Sequence, residues 1–254
     1  MPTRISSLGV VILVSSALGC LSCAPMARAE GVTAAISAAV ANPARPAADK
    51  ERDADRKPAE TVAFAGLKSG DKVVDLLPGG GYFTRIFSKV VGPDGHVYAL
   101  WPQGVPEART AAVKAIAADP AYANVTELEQ PLTALKFPEP VDVIWTSQNY
   151  HDLHNIPGLD LGAVNKSIFD ALKPGGIYVV LDHVAEPGSG FRDTSTLHRI
   201  DPEAVKTEVE AAGFKLLAQS DLLHNPADPH TAKVFDPSIR GKTDQFILKF
   251  RKPK

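Results

Sequence analysis

The sequence predicts a single α/β domain with a seven-stranded, mostly parallel sheet and an antiparallel last strand. Three observations predict it. Short β-branched apolar runs alternate with amphipathic stretches from Lys72 to Ala212, as in repeated strand–helix units. The run Val73-Val74-Asp75-Leu76-Leu77 ends in Pro78 and three glycines, Gly79, Gly80 and Gly81, before a helical pattern starts at Tyr82. Near the C-terminus the sixth and seventh strands are joined by a loop with no helix, so they pair antiparallel.

In chain order, the first residues read as a signal peptide, 1–29. Arg4 supplies an early positive charge, Leu8 to Leu21 is apolar, and Ala27-Arg28-Ala29 is a small-x-small cleavage site before Glu30. The apolar stretch is too short and too rich in serine for a spanning helix, so no stable membrane insertion is expected after cleavage. Export to the periplasm or the medium follows, with lipidation at Cys23 as the alternative. Both cysteines, Cys20 and Cys23, fall in this segment, so the mature chain has no thiol and relies on core packing.

Residues 30–58 form a flexible or helical arm: an alanine-rich lead-in from Glu30 to Ala48, then the charged run Asp49 to Lys57, which reads as a solvated helix face. The domain proper, 59–254, opens with a helix from Ala59 to Ala65 stopped near Gly66. Strand one is Lys72 to Leu77, and its helix is Tyr82 to Val91. The turn Gly92-Pro93-Asp94-Gly95 leads into strand two, His96 to Leu100. A helix over Pro106 to Ala118, a third strand Val125 to Glu129 and a β-branched fourth strand Val141 to Thr146 follow. A helix from Leu161 to Leu172 ends at the turn Lys173-Pro174-Gly175-Gly176. Strand five, Ile177 to Leu181, is apolar throughout, as when both sheet faces are covered. Asp201-Pro202-Glu203 is an N-cap, a first-turn proline and a first-turn acid, opening a helix stopped by Gly213. Phe214 to Ser220 and Gln245 to Phe250 are strands six and seven.

Composition is that of an ordinary globular protein, 44% hydrophobic with a net charge of −2. No basic run is longer than the C-terminal Lys249 to Lys254 cluster, which argues against a nucleic-acid groove and leaves room for a small-molecule substrate. Ligands of open α/β sheets bind outside the carboxyl ends of the strands. Those ends carry Pro78 to Gly81, Trp101, the run Asn149-Tyr150-His151-Asp152-Leu153-His154, and Asp182-His183. A dinucleotide fingerprint would place a third glycine where Thr84 stands and an acid some twenty residues on, so a dinucleotide oxidoreductase is disfavoured.

The pattern Asp75-x-x-Pro78-Gly79-x-Gly81 resembles motif I of the class I, Rossmann-like methyltransferases that use S-adenosylmethionine. Leu172-Lys173-Pro174-Gly175-Gly176 before strand five and Glu210-Ala211-Ala212-Gly213-Phe214 before strand six extend the resemblance over roughly Ala59 to Lys252. Asn225-Pro226-Ala227-Asp228 and Arg240-Gly241-Lys242-Thr243-Asp244 resemble a subgroup of exported predicted methyltransferases. The resemblance implies S-adenosylmethionine as cofactor, held by Asp75, Pro78, Gly79, Gly80, Gly81, Trp101 and Asn149. It implies an arm packed over the pocket with Arg52 or Arg56 facing a carboxylate. It also places the loop after strand four beside the reacting methyl, with His151, Asp152 and Tyr150 as catalytic candidates and His151 the first choice of base. No metal site is expected from His151, His154 and His183, because the His-x-x-His spacing is loose and no cysteine is available.

Two positions depart from the family pattern. Leu77 replaces its first glycine, and Trp101 replaces the acid that holds the ribose, a loss of about 1.5–3 kcal/mol for a charged acceptor. Stacking of Trp101 on the adenine, or a reach by Gln103 or Glu107 to the ribose, would recover part of it. An exported binding protein that keeps the fold without turnover is the second reading.

Overall fold

The computed structural model describes Met1 and residues 34–254. The expected signal peptide, its cleavage site, Cys20 and Cys23 lie outside the described residues. Among the described residues no helix is long and apolar enough to cross a membrane.

The seven strands are β1 (Lys72–Leu76), β2 (His96–Pro102), β3 (Val125–Gln130), β4 (Val141–Ser147), β5 (Leu172–His183), β6 (Lys215–Ser220) and β7 (Gln245–Arg251). They form one sheet in the order β3-β2-β1-β4-β5-β7-β6. Pairs among β1 to β5 are parallel, while β7 is antiparallel to both β5 and β6. The chain starts at β1 and moves outward first to β2 and β3, then in the other direction to β4. The switch point therefore falls between β1 and β4, where such sheets open a crevice.

Alternation along the central strands serves two cores. Val73, Val143 and Trp145 enter one cluster, and Val74, Leu76 and Ile144 enter the other. The first is closed by α5 (Tyr82–Val91), whose Phe83 stacks on Phe87 at 5.6 Å and meets Trp145 at 4.9 Å. The second is closed by α8 (Leu161–Ala171) and α9 (Pro202–Ala211) through Val164, Ile168, Val205 and Val209. Each large apolar side chain buried this way contributes about 1.5–3 kcal/mol. Asp201 caps α9 as expected, accepting from the Glu203 N–H at 2.9 Å.

The described part of the arm takes the helical form of the two expected, and one element differs from the expectation. Residues 34–40 are α1, followed by α2 (Ala47–Lys50), α3 (Asp53–Arg56) and α4 (Pro58–Ala65). Ile36 and Ala39 are buried in the first core, so the alanine-rich composition conceals an apolar stripe with packing partners. The turn Lys173 to Gly176 does not precede strand five but lies within it, as a register shift against β4 between Val141 and Val143. Gly175 takes φ 81° there, a conformation that suits a glycine bulge.

Candidate active site

The turn after β1 is built by residues with distinct tasks. Asp75 is buried and accepts from Thr84 Oγ1 at 2.6 Å, tying β1 to the first turn of α5. Burial pushes its carboxyl up to about 7, against the hydrogen bonds from Thr84 and the charge of Arg56. Gly79 takes φ 58°, and a Cβ at Gly79 or Gly80 would meet nothing within 4 Å. The space above these two residues is free for a ligand. Gly81 has a different reason to be glycine, since a Cβ there would lie 2.2 Å from Ile116 Cδ1 on α6 (Glu107–Ala118). Pro78 lines a small recess of about 140 Å³ beside the turn, together with Asp75, Gly79, Gly80, Arg52 and Arg56.

The arm closes that recess. Arg45 pairs with Asp53 through two hydrogen bonds of 2.8 and 2.7 Å, and the Tyr82 hydroxyl donates to Asp53 Oδ1 at 2.5 Å. Arg85 on α5 meets Asp49 at 3.1 Å. With the arm latched in this way, the Arg56 guanidinium sits 4.6 Å from the Tyr82 ring centre and donates to Gln148 Oε1 at 2.8 Å. Burial and the neighbouring Arg52 charge lower its pKa to about 10. The charged run is largely solvated, as expected, with Asp49, Asp53 and Arg56 half-buried against the turn, and Arg52 and Arg56 wall the glycine turn.

A larger cleft of about 1040 Å³ opens along the carboxyl ends of the strands. Gly79, Gly80, Trp101, Asn149, His151 and Asp152 all line it. Trp101 lines the cleft at 5% exposure, and its buried indole Nε1 has no hydrogen-bond partner among the described residues. Gln103 lines the cleft and Glu107 does not. Asn149 donates to Leu77 O at 2.9 Å and to Ser147 O at 2.6 Å, joining the ends of β1 and β4 across the switch point.

His151 stands on the short helix α7 (Tyr150–Leu153) and is 2% exposed. Its Nδ1 lies 2.8 Å from Oδ1 of Asp182, at the end of β5, and its backbone N–H donates to Oδ2 of the same carboxylate at 2.8 Å. Its Nε2 is turned to His198 Nδ1 at 3.3 Å and to Asp152 Oδ1 at 3.3 Å. Burial opposes a charge on this ring, but the carboxylates of Asp182 and Asp152 outweigh it and push the pKa up to about 10. His183, one residue beyond Asp182, goes the other way: burial holds it down to about 4.

No family model matches the chain. Its sequence is 27% identical over 180 residues to the ubiquinone/menaquinone biosynthesis C-methyltransferase UbiE of Vibrio cholerae. It is 28% identical over 184 residues to UbiE of Cronobacter sakazakii. These matches cover 65% and 68% of this chain and 62% and 67% of the relatives, so the chain spans a little under two thirds of the Vibrio protein. Among solved structures it resembles a SAM-dependent methyltransferase from Aquifex aeolicus, with TM-score 0.56, 20% identity and coverage of 76% and 87% of the two chains. The glycopeptide N-methyltransferase MtfA, solved with S-adenosylmethionine, gives TM-score 0.53 at 17% identity, covering 77% of this chain and 87% of that one.

The fold is the class I methyltransferase fold. Fold alone does not name a reaction, since the [4+2]-cyclase SpnF matches equally well, with TM-score 0.57 at 20% identity over 79% of this chain and 82% of its own. Within the class I methyltransferase fold, the position of the family's first turn glycine is held by Leu77 at φ 56°, a left-handed conformation normally left to glycine. At the end of β2 the ribose acid is absent, and Asp152 is the one carboxyl lining the cleft among the described residues.

The structure brings Pro78, Gly79, Gly80, Trp101, Asn149, His151 and Asp152 to one edge, and it removes Tyr150. That side chain is wholly buried in the second core, where it donates to Glu208 and accepts from Asn165 Nδ2 at 2.8 Å. On a helix, consecutive side chains diverge by about 100°, so Tyr150 and His151 cannot both face the cleft. His154 also turns away, stacked on Phe191 at 4.0 Å and 3.3 Å from Glu208. His183 donates or accepts at Thr243 Oγ1, 2.7 Å away, although one edge of its ring still reaches the cleft. Sequence reasoning missed His198, Gln148 and Phe235. His198 and Phe235 lie in loops without periodicity, and nothing short of the tertiary structure places them beside His151.

Proposed function

We propose that the protein is an S-adenosylmethionine-dependent methyltransferase acting on a small-molecule acceptor. The observation that carries this reading is the ligand space over Gly79 and Gly80 at the switch point, in a cleft that Trp101 also lines. When bound, the cofactor supplies an electrophilic methyl group on a sulfonium sulfur. Gly79 and Gly80 would cradle its amino-acid end, where no Cβ obstructs approach of the backbone. Arg52 and Arg56 would face its carboxylate from the recess wall. Trp101 would offer its ring to the nucleoside, and Gln103, which lines the cleft where Glu107 does not, is the candidate for the ribose.

Methyl transfer requires mainly positioning, together with a group to handle the acceptor's proton. We assign that role to His151, whose ring Asp182 fixes from behind and whose Nε2 looks toward Asp152 and His198; with its pKa raised to about 10, the ring must first lose its own proton. Small-molecule chemistry also matches the curated relatives, which are C-methyltransferases of quinone biosynthesis. Incubation of the protein with methyl-labelled cofactor and fractionated small-molecule extracts should put label into a low-mass product. His151→Ala should lower that transfer by roughly 10²–10⁴-fold with little change in cofactor affinity. Cofactor binding with no label transferred from any fraction would contradict catalysis and leave a binding protein.

A further inference from the structure

Three ligand-type atoms meet at the floor of the cleft. His151 Nε2 lies 3.3 Å from His198 Nδ1 and 3.3 Å from Asp152 Oδ1, and the third edge, His198 Nδ1 to Asp152 Oδ1, is 3.4 Å. Good hydrogen bonds between such groups fall at about 2.7–3.2 Å, so the triangle is wide for a purely hydrogen-bonded trio. It has the size of one face of a metal tetrahedron. With metal–ligand bonds of about 2.0–2.1 Å, any two ligands of a tetrahedral ion are about 3.3–3.4 Å apart.

We propose that His151, Asp152 and His198 form a three-ligand site for a zinc-like divalent ion whose fourth position faces the cleft. Two imidazoles and one carboxylate suit zinc rather than calcium or magnesium, which favour oxygen. A three-ligand site with an open position is the catalytic type, in contrast to a closed four-ligand structural site. Support from behind is in place: buried Asp182 engages the Nδ1 of His151, the arrangement that fixes the tautomer of a metal-binding histidine. The side chains of Asp152 and His198 are 41% and 24% exposed, so the open side of the triangle is the cleft side.

The inference rests on the methyltransferase reading and revises one role in it: with its Nε2 on the ion, His151 holds the metal rather than taking the acceptor's proton, and the acceptor is a small molecule whose nucleophile is an ionisable O–H or S–H. Its heteroatom would replace a coordinated water, and its proton would pass to solvent with no electron transferred. A second histidine cluster serves as an internal control. His224 and His230 contact opposite oxygens of Asp244 at 3.0 and 2.9 Å, ordinary hydrogen-bond distances, in a network that holds the C-terminal loop.

The test requires neither cofactor nor acceptor. The chain, stripped with chelator, is titrated with zinc against a chromophoric chelator, then loaded with cobalt for its visible spectrum. One equivalent per chain and the intense bands of four-coordinate cobalt are expected. Both should vanish in His198→Ala and in the conservative Asp152→Asn, while Asp182→Asn should weaken binding by roughly 10–100-fold. The double variant His224→Ala/His230→Ala should still bind one equivalent. Absence of binding in the parent chain, or loss in the control variant with retention in folded Asp152→Asn, would overturn the proposal. Cofactor affinity measured without metal keeps a failure here separate from a failure of the methyltransferase reading.

Discussion

Leu77, Gln148 and His198 hold φ of 56°, 61° and 56°, and all three line the cleft. Each left-handed non-glycine residue costs on the order of 1–3 kcal/mol, a cost that folds tolerate mainly where a site needs the geometry. At Leu77 the distorted backbone begins the glycine turn; at Gln148 it sends the side chain to Arg56 and Gln245, at 2.8 Å each. Asp75 offers a prediction at this scale. Burial raises its pKa to about 7, above an unfolded value of about 3.9, so folding favours the protonated acid. Its contribution to stability is complete below about pH 4 and is lost as pH rises through about 7. Asp75→Asn stays neutral and should gain on the parent between these limits, by at most about 1.4 kcal/mol per pH unit in urea unfolding. Parallel pH profiles would refute it. The places of Asp75, Gly79 and Gly80 around the first turn were legible in the sequence because the strand–turn–helix pattern is contiguous; the bond from Thr84 to Asp75 was not. Tyr150 was not, since the phase of a four-residue helix is set by what packs on it.

The elements that complete the site are two long loops, one between β5 and α9 and one between β6 and β7. Arg199 joins them: wholly buried, it pairs with Asp228 through bonds of 2.9 and 3.0 Å and donates to the carbonyls of Val184 and Ala232. Asp228 also accepts from the backbone N–H groups of Asp244 and His230. Asp228 and Asp244 belong to the two sequence pieces that mark the exported subgroup resemblance, and their visible task is to hold this loop pair. Asp228→Ala leaves a buried guanidinium without its carboxylate and should cost about 3–5 kcal/mol in denaturant unfolding. It should also release Val234 and Phe235 from the cleft wall, since Val234 is fixed by an N–H bond to Leu197 O at 3.1 Å. A loss below about 1 kcal/mol, the scale of an exposed pair, would show that the pair is dispensable. The motif residues stood out in the sequence, but Arg199 did not, because a lone arginine in an aperiodic loop carries no sign of its burial.

At the scale of the molecule, the seven strands and the reversed β7 were readable because strand–helix alternation ends in two strands joined without a helix; the order of the strands in the sheet came only with the structure. The arm was less readable: its run of charges is largely solvated, and nothing in the sequence marks Asp53 and Arg56 as the members that meet Tyr82. Together the sheet switch point, the arm and the loop pair define a cleft lined by Gly79, Trp101 and His151, with Gly79 and Trp101 as the proposed cofactor end and His151 as the proposed acceptor end. Titration calorimetry of S-adenosylmethionine and S-adenosylhomocysteine, at ligand concentrations up to about millimolar, measures the first of these directly. Saturable heat is predicted with the parent chain. Trp101→Ala should bind more weakly by about 1–3 kcal/mol if the indole stacks on the adenine. Gly79→Val, whose side chain would enter the open space over the turn, should not bind. No heat and no thermal shift with either ligand in the folded parent chain would contradict the cofactor assignment.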